Sequence, residues 1–121
     1  GALRAQVRVQ EAQLEQARRG YDAAWRAALK DVEDALAALQ GDRDKLVHLH
    51  AAAAAAGQAT ELAQHQYASG LVDFQTVLDT QRTLLAAQDS VAATVASVAT
   101  GHVRLYKALG GGWAASQEQQ P

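Results

Sequence analysis

The sequence has no cysteine and no methionine, and its one proline is the last of 121 residues. Without cysteine there is no disulfide, no thiolate nucleophile and no sulfur-ligated metal site. Without an internal proline, nothing bars a helix anywhere before the last residue. Aromatic residues are scarce, at three Tyr, two Trp and one Phe. The alternation of β-branched and aromatic residues that marks strands is missing, which leaves an all-α chain. Acids and bases are interspersed at a formal net charge of −2. No basic stripe is present to release counterions from phosphates, so nucleic acid is not expected as a partner. The most apolar stretch, Val91 to Val103, is short and rich in Ala, Ser and Thr. It is no transmembrane helix. The alternating strands of an outer-membrane barrel and the pattern of a signal peptide are also missing, so the chain as it stands is expected to be soluble.

What is present is alanine, 29 residues of it. Alanine favours helix more than any other residue but buries little area, so such a chain makes long, closely approaching helices rather than a thick core. Over residues 3–68 apolar positions recur at helical spacing with no strong stop. One stripe is Leu3, Val7, Leu14, Ala17, Tyr21, Ala24 and Ala28. A second, offset from it, is Trp25, Leu29, Val32, Leu36 and Leu39, carried on by Leu46, Leu49, Ala53, Ala56, Ala63 and Tyr67. Two stripes on one helix suit packing against neighbours on both sides. Gly41 and Gly57 are the places where this helix can bend or break, at about 1 kcal/mol each relative to alanine. A helix of about 65 residues outruns the needs of a globular domain and predicts a coiled coil.

Residues 69–72 form the expected turn, with Gly70 free to take a left-handed conformation and Asp73 placed to cap the next helix. The return helix is predicted over 73–109. Its seam is read as Phe74, Leu78, Gln81, Leu85, Gln88, Val91, Val95, Val98, His102, Leu105 and Leu109, a partly wet interface. Gly110-Gly111-Gly112 is expected to stop it, so the hairpin covers 1–113 and a disordered polar tail covers 114–121.

Catalytic constellations are not found. His48 and His50, two apart, point to different faces of a helix. Glu61 and His65 share a face, but two ligands make no metal site. Ser69 is not expected to act as a nucleophile. Neither catalysis, nor a metal, nor a cofactor is expected.

The run Tyr67-Ala-Ser-Gly-Leu-Val-Asp-Phe-Gln-Thr-Val-Leu-Asp-Thr-Gln-Arg82 resembles the periplasmic tip of outer-membrane efflux proteins of the TolC/OprM/NodT type. Those carry a tyrosine, a small-Gly-Leu turn and Val-Leu-Asp-Ala-Gln-Arg at this spacing. The ending Val103-Arg-Leu-Tyr-Lys-Ala-Leu-Gly-Gly-Gly-Trp113 is similar to the close of the last helix in OprM-like members. Tyr21, followed by Asp31-Val-Glu-Asp-Ala-Leu36, is similar to their long helix. The resemblance runs from about Arg4 to Trp113, in order.

The resemblance implies a long antiparallel coiled-coil hairpin, the second of two per subunit. In the full-length homotrimer such hairpins build an α-helical barrel, and a β-barrel outside this chain makes the membrane contact. It implies the periplasmic part of a Gram-negative outer-membrane protein, working with a periplasmic adaptor protein and an inner-membrane pump to export drugs, metals or other small molecules. Ser69, Gly70, Leu71 and Val72 are similar to the adaptor-docking tip. Tyr67, Gln75 and Asp79 fall at gate or constriction positions. Val72 stands where some members have a bridging arginine, and Gln75 where OprM-like members have a leucine. The competing reading is a non-catalytic coiled-coil module such as the hairpin of an adaptor. Its tip pattern Arg-x3-Leu-x6-Ser does not begin anywhere near residues 65–75.

Overall fold

A computed structural model describes the backbone of residues 1–117 and the side chains of residues 1–110. It consists of two helices, α1 (Ala2–Ala68) and α2 (Phe74–Gln117), with no strand among the described residues. The chain is all-α. α1 passes through Gly41 and Gly57 without interruption. A Cβ added at Gly41 would meet nothing within 4 Å, so that glycine costs only backbone entropy, which the hydrogen-bonded turns on either side offset. α2 does not stop at the three glycines but continues to Gln117. Glycine lowers helix propensity without removing a donor, and the proline that would stop the helix lies at 121. Residues 114–117 are therefore the last turn of α2, and 118–121 lie outside the described residues.

Packing divides the chain into Gly1–Leu36 with Arg104–Pro121, and Ala37–Val103. In the second unit the helices pack antiparallel. A methyl group on Gly101 would lie 3.2 Å from Leu39 Cδ1, and one on Gly57 would lie 4.0 Å from Leu84 Cδ1. Numbers climb on one helix as they fall on the other. Covered positions include, on α1, the row Leu39, Asp42, Leu46, Leu49, Ala53, Ala56, Thr60 and Ala63 and, on α2, the row Val77, Thr80, Leu84, Ala87, Val91, Thr94, Val98 and Gly101. Both rows alternate spacings of three and four, the heptad rhythm that keeps a coiled-coil seam turned to its partner. Thr60 is buried, and its hydroxyl donates to the Ala56 carbonyl at 3.0 Å, so the polar atom is satisfied within its own helix.

The seam of α2 differs from the one expected. Val91 and Val98 lie in it, but Phe74, Leu85, Gln88 and Val95 are exposed, while Leu78, Gln81 and His102 are half-buried along its edge. Small residues such as Ala56, Ala63 and Gly101 alternate in the interface with Leu39, Leu46, Leu49 and Leu84, and the small ones let neighbouring atoms approach closely and gain dispersion contacts.

In the unit Gly1–Leu36 with Arg104–Pro121, Ala35 is buried, Ala28 and Val32 are half-covered on α1, and Leu105 and Ala108 are half-covered on α2. The expected stripe from Leu3 to Tyr21 is exposed throughout, and so are Trp25, Leu29 and Leu36.

Candidate functional site: the hairpin tip

α1 ends at Ala68 in a Schellman motif. The Gly70 N–H donates to the Tyr67 carbonyl at 3.0 Å and the Leu71 N–H to the Gln66 carbonyl at 2.8 Å. This geometry needs a left-handed residue, and Gly70 has φ of 75°, the one positive φ in the described chain. The Ser69 hydroxyl donates back to the His65 carbonyl at 3.1 Å. The first two bonds satisfy carbonyls that the end of the helix leaves without a partner, and the hydroxyl is a second donor to a carbonyl already bonded to the Ser69 N–H.

Three residues later Asp73 starts α2. Its Oδ1 accepts from the Thr76 N–H at 3.1 Å and from the Thr76 hydroxyl at 2.9 Å, a helix N-cap. The Thr76 hydroxyl first, and the Thr76 amide second, hold the Asp73 carboxyl below its usual value of 3.8. The turn is thus fastened at both ends by local hydrogen bonds, which makes it a fixed rather than a floppy feature.

The side chains this turn presents are apolar and open. Leu71 is 75% exposed and Tyr67 is 48% exposed; Phe74 is exposed beside them, and Val72 is half-buried. The Tyr67 and Phe74 rings lie with centroids 5.4 Å apart at 58°, within the range of favourable tilted aromatic pairs. Spacing alone places Phe74 in the seam. Its position seven residues beyond Tyr67, across a tight turn, was the available clue to its place at the tip. One turn into α2, the Gln75 amide donates to Asp79 Oδ1 at 2.9 Å, with both residues exposed. The structure therefore joins Tyr67 to Phe74 and Gln75 to Asp79, and sets Ser69 and Gly70 into the backbone of the turn.

The histidines read for metal chemistry do not converge. Among the described residues no three His, Cys, Asp or Glu side chains gather around a common point. No helix among them is long and apolar enough to cross a membrane.

Comparison with known proteins matches residues 1–111 to the outer membrane efflux protein family. The pyoverdine export outer membrane protein OpmQ of Pseudomonas putida is 41% identical over 115 residues, which is 95% of this chain and 24% of that protein. The solvent efflux pump outer membrane protein SrpC of Pseudomonas putida is 35% identical over 118 residues, 97% of this chain and 25% of that protein. The probable efflux pump outer membrane protein TtgC of Pseudomonas putida is 36% identical over 93 residues, 77% of this chain and 19% of that protein. The chain spans about a quarter of the length of the first two of these relatives. No solved structure matches it. With an unbroken match over both helices and the tip between them, the chain belongs to the outer membrane efflux protein family.

Proposed function

We propose that this chain forms one hairpin of the periplasmic tunnel wall of an efflux channel, closed as a trimer in the whole protein. The observation that carries the reading is the second apolar face. After the seam of the unit Ala37–Val103 is closed, Val47 and Leu62 on α1 and Leu85, Val95 and Val103 on α2 remain exposed. A helix in a tunnel wall needs two such faces, one for its partner and one for the next hairpin. Soluble proteins rarely leave long apolar strips in water.

In this reading the tip formed by Ser69, Gly70, Leu71 and Val72 docks a periplasmic adaptor, which couples the channel to an inner-membrane pump. The fastened turn supports the assignment, since it presents Leu71 on a backbone that needs no ordering upon binding. Tyr67, Gln75 and Asp79 line the entrance. Three Asp79 carboxylates around a narrow mouth concentrate negative potential and favour cations. The Gln75 amide holds each carboxylate along its helix and so sets where that charge sits. The cargo is a small molecule, in line with the pyoverdine and the solvent that the names of OpmQ and SrpC give for their own systems.

Bilayer conductance of the full-length channel tests this. Asp79→Ala is expected to reduce cation selectivity and block by multivalent cations, and Tyr67→Phe to raise conductance by removing a closing hydroxyl. Unchanged selectivity in Asp79→Ala would remove Asp79 from the entrance. Unchanged conductance in Tyr67→Phe would reduce Tyr67 to a ring packed on Phe74.

A further inference from the structure

Among the described residues, one side-chain hydrogen bond crosses from α1 to α2: Arg43 Nη2 lies 3.3 Å from His102 Nε2. It sits beside the point where Leu39 lies close against Gly101. A guanidinium carries five N–H donors and no acceptor. His102 must therefore be the acceptor at Nε2, which makes its ring neutral with the proton on Nδ1. A protonated ring has a donor on both nitrogens and a positive charge, so it has nothing to offer Arg43. We propose that Arg43 and His102 form an acid-released clasp between the two helices, closed while the ring is neutral and opened when it gains a proton.

The charges around the clasp support a switch rather than a passive contact. From α1, Asp42 is half-buried on the seam next to Arg43, and Asp44 is engaged by the Gln40 amide at 3.0 Å. On α2, Arg104 follows two residues after His102 and so points to a different face of that helix. The imidazolium is repelled by Arg43. Protonation thus replaces a cross-helix bond by a like-charge pair. The neutral ring closes the clasp, so the clasp contributes at alkaline pH and is lost in acid, once the ring carries a second proton.

Two measurements on the full chain test the clasp. Long-range proton–nitrogen NMR with nitrogen-15 histidine should show the Nδ1–H tautomer of His102 at pH 8, shifting toward Nε2–H in Arg43→Met. The melting temperature should fall between pH 7.5 and 5.5 by about 2–3 °C more in the unmodified chain than in His102→Gln. There the glutamine Oε1 accepts from Arg43 at both pH values, and His48, His50 and His65 are present in both chains. An Nε2–H tautomer in the unmodified chain, or the same pH slope in that chain, His102→Gln and Arg43→Met, would overturn the proposal. If His102→Gln fails to fold, the tautomer and the slope of Arg43→Met still decide it.

Discussion

On the face where α1 meets α2 in the unit Ala37–Val103, the most deeply buried side chains are Leu39, Ala56, Thr60, Ala63, Val77 and Thr94. On the outer side of the same helices stand the exposed Val47, Leu62, Leu85 and Val95. The seam mixes alanine and threonine with Leu39, Leu46, Leu49 and Leu84, so size alone does not decide which residue is covered. The place of a residue on the helix decides it. Where Leu39 meets Gly101, the absence of a side chain on the glycine makes room for the leucine. The large outer residues make sense as contacts for a further helix.

Leu62 and Ala63 are adjacent in sequence and lie on opposite sides of this comparison, Leu62 58% exposed and Ala63 3%. Ala63→Leu should give the largest effect. Three added carbons have no space in the seam, and overpacking should lower stability by about 2 kcal/mol in urea unfolding. A neutral result would mean that the two helices slide apart easily and that the seam is not close-packed.

Gly70→Ala comes next. It forces a Cβ into the left-handed region that the Schellman motif requires, at about 1 kcal/mol. A smaller loss would show that the turn gives way, which would weaken the contrast between a rigid tip and its open apolar surface.

Asp73→Ala should have a smaller effect that depends on pH. Folding lowers the Asp73 carboxyl below 3.8, so its contribution is complete above that value and is lost as pH falls through the lowered one. The melting temperatures of the variant and the unmodified chain should differ at pH 6 and converge in strong acid. A constant difference would assign the effect to something other than the charge on the cap.

Leu62→Ala should change the stability of the chain least, within about 0.5 kcal/mol, as for other surface changes. It should instead weaken association, read by sedimentation at tens of micromolar. Should Leu62→Ala destabilise folding as much as Ala63→Leu, the two faces would not differ in role.

The amino-acid sequence alone determined the helical class, because an alanine-rich chain with no internal proline and no strand alternation has little else to form. It also determined the chemistry of the turn, since a positive φ at Gly70 and a capping carboxylate at Asp73 are local requirements that residue identity meets by itself. Phe74, Leu85 and Val95 show where that reading stopped. Counting large apolar residues placed them in the α2 seam, yet several registers a residue or two apart satisfy the same helical period. Only the packing of the two backbones selected Val77, Thr94 and Gly101 instead. The end of α2 was decided beyond the local signal as well, because the helix carries through three glycines that look like a stop. Likewise Arg43 and His102 are 59 positions apart. No pattern in the sequence pairs them, and it took the antiparallel register to bring a donor-only cation against a ring nitrogen that must accept.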